Sequence, residues 1–339
     1  MSRARRIGLA RRRPGGPGQG LLSAEMSGAT AIGGARLAYA VLNRYPPGGT
    51  KTWSRTNHRG EKVTLLEGPA VAVGAIVGVL AHAGLRSATG QAAWRVTWRA
   101  AAAAAVAGAG AAAFGAYDDL AGSGDRRGFA GHLSALRHGE VTTGAVKLGG
   151  IGVVGILSAA LAGGSPVDVA INGGLAAGGA NLLNLFDLRP GRAIKVAFAS
   201  GALIAAGGSP DAGGADVAVP SAAAALLPED LAERAMLGDC GANALGAMLG
   251  VAAAGMPRPA RIALLAGVVG LTAASEKISF TKVIERTPAL RWLDMLGRRP
   301  AQQVPSGLIP AQRGDPKKSA GAGTTARSAE NTDPPPPEQ

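Results

Sequence analysis

Two adjacent carboxylates, Asp118 and Asp119, close an uncharged, Ala- and Gly-rich run that extends from Ala100 to Ala116. A charge beside hydrocarbon is costly, so acids at the point where an apolar helix meets water mark ion or phosphate chemistry, with cations as partners. Arg126, Arg127, Arg137 and Lys147, with His132 and His138, follow in the next polar segment. Asn181, Asn184 and Asp187 stand at the end of another apolar run, and Asp239 opens a later one. Acids and cations in this arrangement suit magnesium and phosphate. Magnesium binds through one or two carboxylates together with substrate phosphates and water, and manganese is a substitute.

The elements that must carry these residues are apolar helices. The chain has 339 residues, 47% hydrophobic, 17% charged and only 4% aromatic, with 53 Gly. Small residues at this density let membrane helices approach closely. Uncharged or nearly uncharged runs lie at roughly 27–43, 68–85, 100–117, 148–167, 169–187, 196–210, 217–228, 240–257 and 262–275. Against about 20 apolar residues per crossing, they predict an all-α, polytopic integral membrane helical bundle of about eight to ten transmembrane helices. The predicted membrane domain covers 26–298. Residues 1–25 read as a disordered basic leader, or as a mis-called start with Met26 as the true first residue. Residues 299–339, rich in Pro, Gly and charge, read as a disordered tail. No internal repeat supports an inverted-repeat transporter.

The formal charge is +13, with 27 Arg and 8 Lys making up the 35 basic residues. They sit between apolar runs rather than on one basic domain, which favours basic cytoplasmic loops over nucleic-acid binding. A lone cysteine, Cys240, excludes an intramolecular disulfide framework and a multi-cysteine metal site. It reads as a packing residue. With Asp118 and Asp119 set on the cytoplasmic face of a cell membrane, counting spans brings Asn181, Asn184, Asp187 and Asp239 to that face. Asn57, His58 and Arg59 open the chain there, and Glu276, Lys277, Lys282, Glu285 and Arg286 close it. The Arg-rich leader then falls outside, a conflict that a start at Met26 removes.

Three blocks in this order resemble a family. They are Asp118-Asp119 with the Lys147-Leu-Gly-Gly stretch, Asn181-Leu-Leu-Asn184-Leu-Phe-Asp187, and Gly238-Asp239-Cys240-Gly241-Ala-Asn-Ala-Leu-Gly246. A weaker fourth is Asn57-His58-Arg59 followed by Gly68-Pro69. Over roughly 50–290 the chain resembles the polyprenyl-phosphate N-acetylhexosamine-1-phosphate transferases, glycosyl transferase family 4, which include the bacterial phospho-N-acetylmuramoyl-pentapeptide transferase. The resemblance implies transfer of a sugar-1-phosphate from a UDP-sugar to a polyprenyl phosphate lipid carrier, releasing UMP, in cell-wall and peptidoglycan-type biogenesis. It implies Asp239 and Asp118 as magnesium ligands and Asp118 and Asp119 as the groups that bind or deprotonate the lipid phosphate. Lys147 would offset phosphate charge, while Asn181, Asn184 and Asp187 shape the nucleotide-sugar site. Asn57 and Arg59 would contact substrate, with Lys282 or Arg286 on the pyrophosphate. A homodimer is compatible with it.

The chain departs from the family pattern in four places. Leu188 follows Asp187 where the family has Gly, Ala242 stands for Ser, Met236 stands where many members have an aromatic residue, and 276–300 contains no His. The alternatives to the enzyme are a non-catalytic relative that binds lipid carrier as a scaffold in envelope assembly, and a transporter using the intramembrane acids. Single residues also have simpler readings. Asp239 suits a helix N-terminal cap, and Asn181 and Asn184 suit bonds between helices.

Overall fold

The computed structural model describes residues 17–89, 94–122, 138–139, 141–208 and 214–300. Arg126, Arg127, His132 and Arg137, most of the tail, and residues 1–16 of the expected leader lie outside this set. The described residues form eleven α-helices and one hairpin. Helix α1 is Pro17–Arg44, so it takes in the end of the segment expected as leader; β1 is Ser54–Thr56 and β2 Lys62–Thr64. There follow α2 Glu67–Ala88, α3 Trp94–Ala121, α4 Thr143–Ala162, α5 Pro166–Phe186, α6 Arg192–Gly207, α7 Ala215–Leu231, α8 Gly238–Ala252, α9 Arg258–Ser275, α10 Phe280–Arg286 and α11 Pro288–Met295.

The bundle is all-α. Among the described residues four helices are long and apolar enough to cross a membrane: α2, α3, α4 and α5. A fifth follows if α9 and α10, bent by 95° at their junction, count as one span. The count is below the eight to ten read from the sequence because the runs at 196–210, 217–228 and 240–257 fold into helices of 16, 17 and 15 residues, and because α1 and α9, at 28 and 18 residues, do not qualify alone. At 1.5 Å per residue the first three reach about 22–26 Å, short of the roughly 30 Å hydrocarbon layer. In α8 the apolar residues serve packing: every residue except Asp239 is buried.

Helix starts follow local chemistry. The Thr142 side chain accepts from the Ala145 amide at the start of α4. Ser165 and Asp168 form a capping box at the start of α5, with Pro166 in its first turn, a pairing that satisfies two otherwise orphaned amides. Asp168 also takes Arg258 at 2.7 Å and Arg261 at 3.0 Å, which ties the start of α5 to the start of α9.

Ala is the commonest residue of the core, with Leu175, Leu245 and Met248 among its large side chains. Helix α8 lies at the centre against α3 and α5, and α4 packs between those two. Glycine permits the approach. A methyl at Gly246 would collide with the Gly179 carbonyl, and one at Gly250 with the Leu175 carbonyl. Gly246→Ala is therefore expected to lower stability by about 1–3 kcal/mol through overpacking, read as a fall in the thermal midpoint of the purified protein in detergent. Gly149→Ala on α4, where an added methyl meets open space, should hold or raise the midpoint, since alanine is the better helix residue. Equal midpoints for the two variants would refute the close-approach account.

The hairpin packs at the edge of the bundle, where Trp53 and Leu65 beside it meet Tyr39 and Leu42 of α1. Asn57 turns it: its Oδ1 accepts from the amides of Arg59 and Glu61, both at 2.9 Å, a turn chemistry Asn favours. The Met236 amide donates to the Thr64 carbonyl at 3.0 Å, and the Thr64 amide to the Arg234 carbonyl at 3.2 Å. The hairpin is thus fastened to the segment that leads into Asp239.

Candidate functional site

Four helix ends meet at one place. Asp118 and Asp119 occupy the last turn of α3, Lys147 the start of α4, Asp187 the C-terminal cap of α5, and Asp239 the first turn of α8. The Lys147 ammonium bridges two carboxylates, lying 2.7 Å from Asp118 Oδ2 and 2.5 Å from Asp239 Oδ2. The side chains of Lys147, Asp118 and Asp239 keep 12%, 16% and 25% of their surface exposed, enough to meet a solute.

Asp119 does something different from its neighbour. Its Oδ1 accepts from the Asp239 amide at 3.1 Å and its Oδ2 from the Cys240 amide at 2.9 Å. Leu237, at the cap position of α8, supplies no side-chain bond, so α3 provides the cap from outside. A carboxylate there satisfies orphaned amides and sits at the positive end of the helix. The capping role that the sequence offered to Asp239 belongs to Asp119, which leaves the Asp239 carboxylate turned toward Lys147. Two glycines make this fit possible. A methyl at Gly115 would strike the Asp239 carbonyl, and a methyl at Gly238, which sits at φ 60°, would come within 2.9 Å of Asp119 Oδ2.

A cleft of about 270 Å³ opens beside the pair, lined by Arg55, Thr56, Leu65, Asp119, Asn184, Asp187, Leu188, Met236, Gly238 and Asp239. Burial, then the neighbouring Asp230, Asp239 and Asp119, hold the Asp187 carboxyl well above its ordinary value, while the Gly238 amide acts against them. The lining carries three acids and one arginine. A ligand rich in phosphate therefore calls for an added cation. Among the described residues no group of three or more His, Cys, Asp or Glu is arranged to hold a metal. Asp118 and Asp239 nonetheless already converge on one cationic group, and two carboxylates are the usual protein share of a magnesium site.

The structure brings together Asp118, Asp119, Lys147, Asn184, Asp187 and Asp239, and separates the other sequence candidates from them. Asn57 donates to Glu233 at 2.9 Å, and Arg59 pairs with the same Glu233 at 2.8 Å, so both brace the hairpin. Asn181 donates to Thr272 Oγ1 on α9 at 3.4 Å, an interhelical bond. Lys282 and Arg286 lie exposed on α10 and do not line the cleft. Cys240 is buried.

Arg55 is a lining residue that the sequence did not mark. Its guanidinium donates to the Asp119 carbonyl, to Thr52 O at 3.3 Å and to Ser54 O at 2.9 Å. Only its position two residues before Asn57 could have drawn attention to it. Asp230 was missed as well: its Oδ2 accepts from the Gly191 amide at 3.1 Å, pinning the loop that follows Asp187. The chain matches no protein-family model and no curated protein. The site's geometry and the order of its motifs are what bear on function.

Proposed function

We propose that this chain transfers a sugar-1-phosphate of N-acetylhexosamine type from a UDP-sugar to polyprenyl phosphate at the cytoplasmic face of a cell membrane, releasing UMP, for cell-envelope polymer synthesis. One observation carries the reading: Lys147 joins Asp118 and Asp239 at the edge of a cleft of about 270 Å³, at one end of a bundle with several membrane-length apolar helices. A soluble donor and a lipid acceptor can meet only at such a boundary.

Phosphoryl transfer demands positioning and charge neutralisation more than covalent chemistry, and the residues divide along those lines. Asp118 and Asp239 would hold magnesium, which when bound neutralises charge on the phosphates. Lys147 offsets further phosphate charge once it leaves its carboxylate partners. Asp119 fixes the first turn of α8, and with it the direction of Asp239. Asn184 and Asp187 present an amide and a carboxyl to the nucleotide-sugar from the cleft wall.

A second reading, a non-catalytic scaffold that binds the lipid carrier, draws on the same contact, because Lys147 already satisfies both carboxylates. Purified protein given magnesium, UDP-N-acetylhexosamine and undecaprenyl phosphate separates the two. The transferase should release UMP in step with a lipid-linked sugar diphosphate. Intact binding of undecaprenyl phosphate with no UMP across a panel of UDP-sugars would overturn it in favour of the scaffold.

A further inference from the structure

The last described helices carry charge inward and apolar surface outward. In α11 the one buried side chain is Asp294, whereas Trp292, Leu293 and Leu296 beside it are 65%, 49% and 54% exposed. At 3.6 residues per turn Trp292 falls opposite Asp294 and Leu293 about 100° to one side, and Leu296 follows directly after the helix end. A helix packed against a soluble body and facing water shows the reverse pattern. An apolar arc turned outward and rimmed by basic residues is the arrangement of a helix that lies in a membrane interface.

Three independent features agree. The apolar α9 turns by 95° into α10, so if α9 stands along a bilayer normal α10 runs close to the bilayer plane. Between Glu276 and Arg299 the chain has six basic residues against three acids, a balance of +3; Asp294 takes Arg192 and Arg298, Arg299 pairs with Glu61, and Lys277, Lys282, Arg286 and Arg291 are exposed. The polar side is also fixed to the body: Phe280 stacks on Phe186 with centroids 5.3 Å apart, and Arg192 donates to Thr281 Oγ1 at 3.0 Å. A second copy of the chain is a poor occupant for the outer face. An eight-residue helix is about 12 Å long, and a stable protein interface buries roughly 1,200 Å² or more.

We propose that residues 278–296 form a platform seated on the anionic phospholipid surface of the membrane. Trp292, Leu293 and Leu296 enter the boundary between headgroups and acyl chains, and Lys282, Arg286 and Arg291 meet lipid phosphates. Juxtamembrane Lys and Arg are attracted to such a surface within a Debye length. The platform does not depend on the transferase reading, and its test involves no turnover.

The full chain is reconstituted in phosphatidylcholine vesicles with and without phosphatidylglycerol, using lipids brominated high on the acyl chain. The sequence holds four Trp, so subtracting the emission of Trp292→Phe isolates Trp292. Bromolipid should quench most of that difference signal, aqueous iodide should leave it, and the bromolipid effect should grow with phosphatidylglycerol. The growth should disappear when Lys282, Arg286 and Arg291 are all changed to Gln. Iodide quenching without bromolipid quenching would overturn the platform. Quenching indifferent to phosphatidylglycerol would overturn the anionic-lipid assignment, and Trp292 shielding that vanishes on diluting the protein among vesicles would assign the face to a second copy instead.

Discussion

Asp239→Asn is expected to cut UMP release by about a thousandfold or more, the scale on which a positioned charge acts in phosphoryl transfer. The substitution keeps the side-chain shape and removes only the charge that faces Lys147 at 2.5 Å. The cap on α8 remains, because Asp119 bonds the Asp239 and Cys240 backbone amides rather than the side chain, so the helix should hold its place. Asp118→Asn should also lose turnover. Because both carboxylates share Lys147, the double variant should be hardly worse than Asp239→Asn alone, as is usual for groups acting as a unit. Thermal midpoints measured alongside separate lost chemistry from lost fold. Full turnover by Asp239→Asn would refute the proposed role, and strictly additive losses would refute the shared site.

The division of labour between Asp118 and Asp119 shows where the sequence stops informing. Adjacent residues on a helix point about 100° apart, so two neighbouring carboxylates cannot serve one ligand equally. Which one turns to Lys147 and which to α8 depends on how α3 is rotated in the bundle. That rotation is set by Gly115 against the Asp239 backbone, a contact across more than a hundred residues. The ordered motifs and their helix-end positions were legible because charge beside apolar runs has few tolerable locations. Arg55 was not, since a short hairpin carries no periodic signal and its docking rests on backbone bonds to 234–236. The shortfall in spans has a similar origin. Composition marks 196–210, 217–228 and 240–257 as apolar but does not distinguish a lipid-facing helix from α8, which is buried by its neighbours. Gly246 entered as a motif letter, and the structure gives it a packing reason.

Asp294→Ala is expected to cost about 3–5 kcal/mol, the usual loss when one partner of a buried ion pair is removed. Arg192 and Asp294 are 4% and 7% exposed and bond in a fork, Nε to Oδ1 at 2.7 Å and a terminal nitrogen to Oδ2 at 3.1 Å. Without the carboxylate, Arg192 stays buried and uncompensated at the start of α6, five residues after Asp187. Adding Arg192→Met to Asp294→Leu should recover much of the loss, because an apolar pair avoids the desolvation that the ions incur. Burial pulls the Asp294 carboxyl upward, but Arg192, then Arg298 and Lys195, outweigh it and hold it below its ordinary value. Its contribution is therefore complete above a pH of about 4, the unfolded carboxyl value, and is lost as pH falls through the lower folded value. Thermal midpoints in detergent from neutral pH downward should converge for wild type and Asp294→Ala only at the acid end. A gap that is unchanged at low pH, or a double variant no better than the single, would show that the charge pair does not hold α11 to α6.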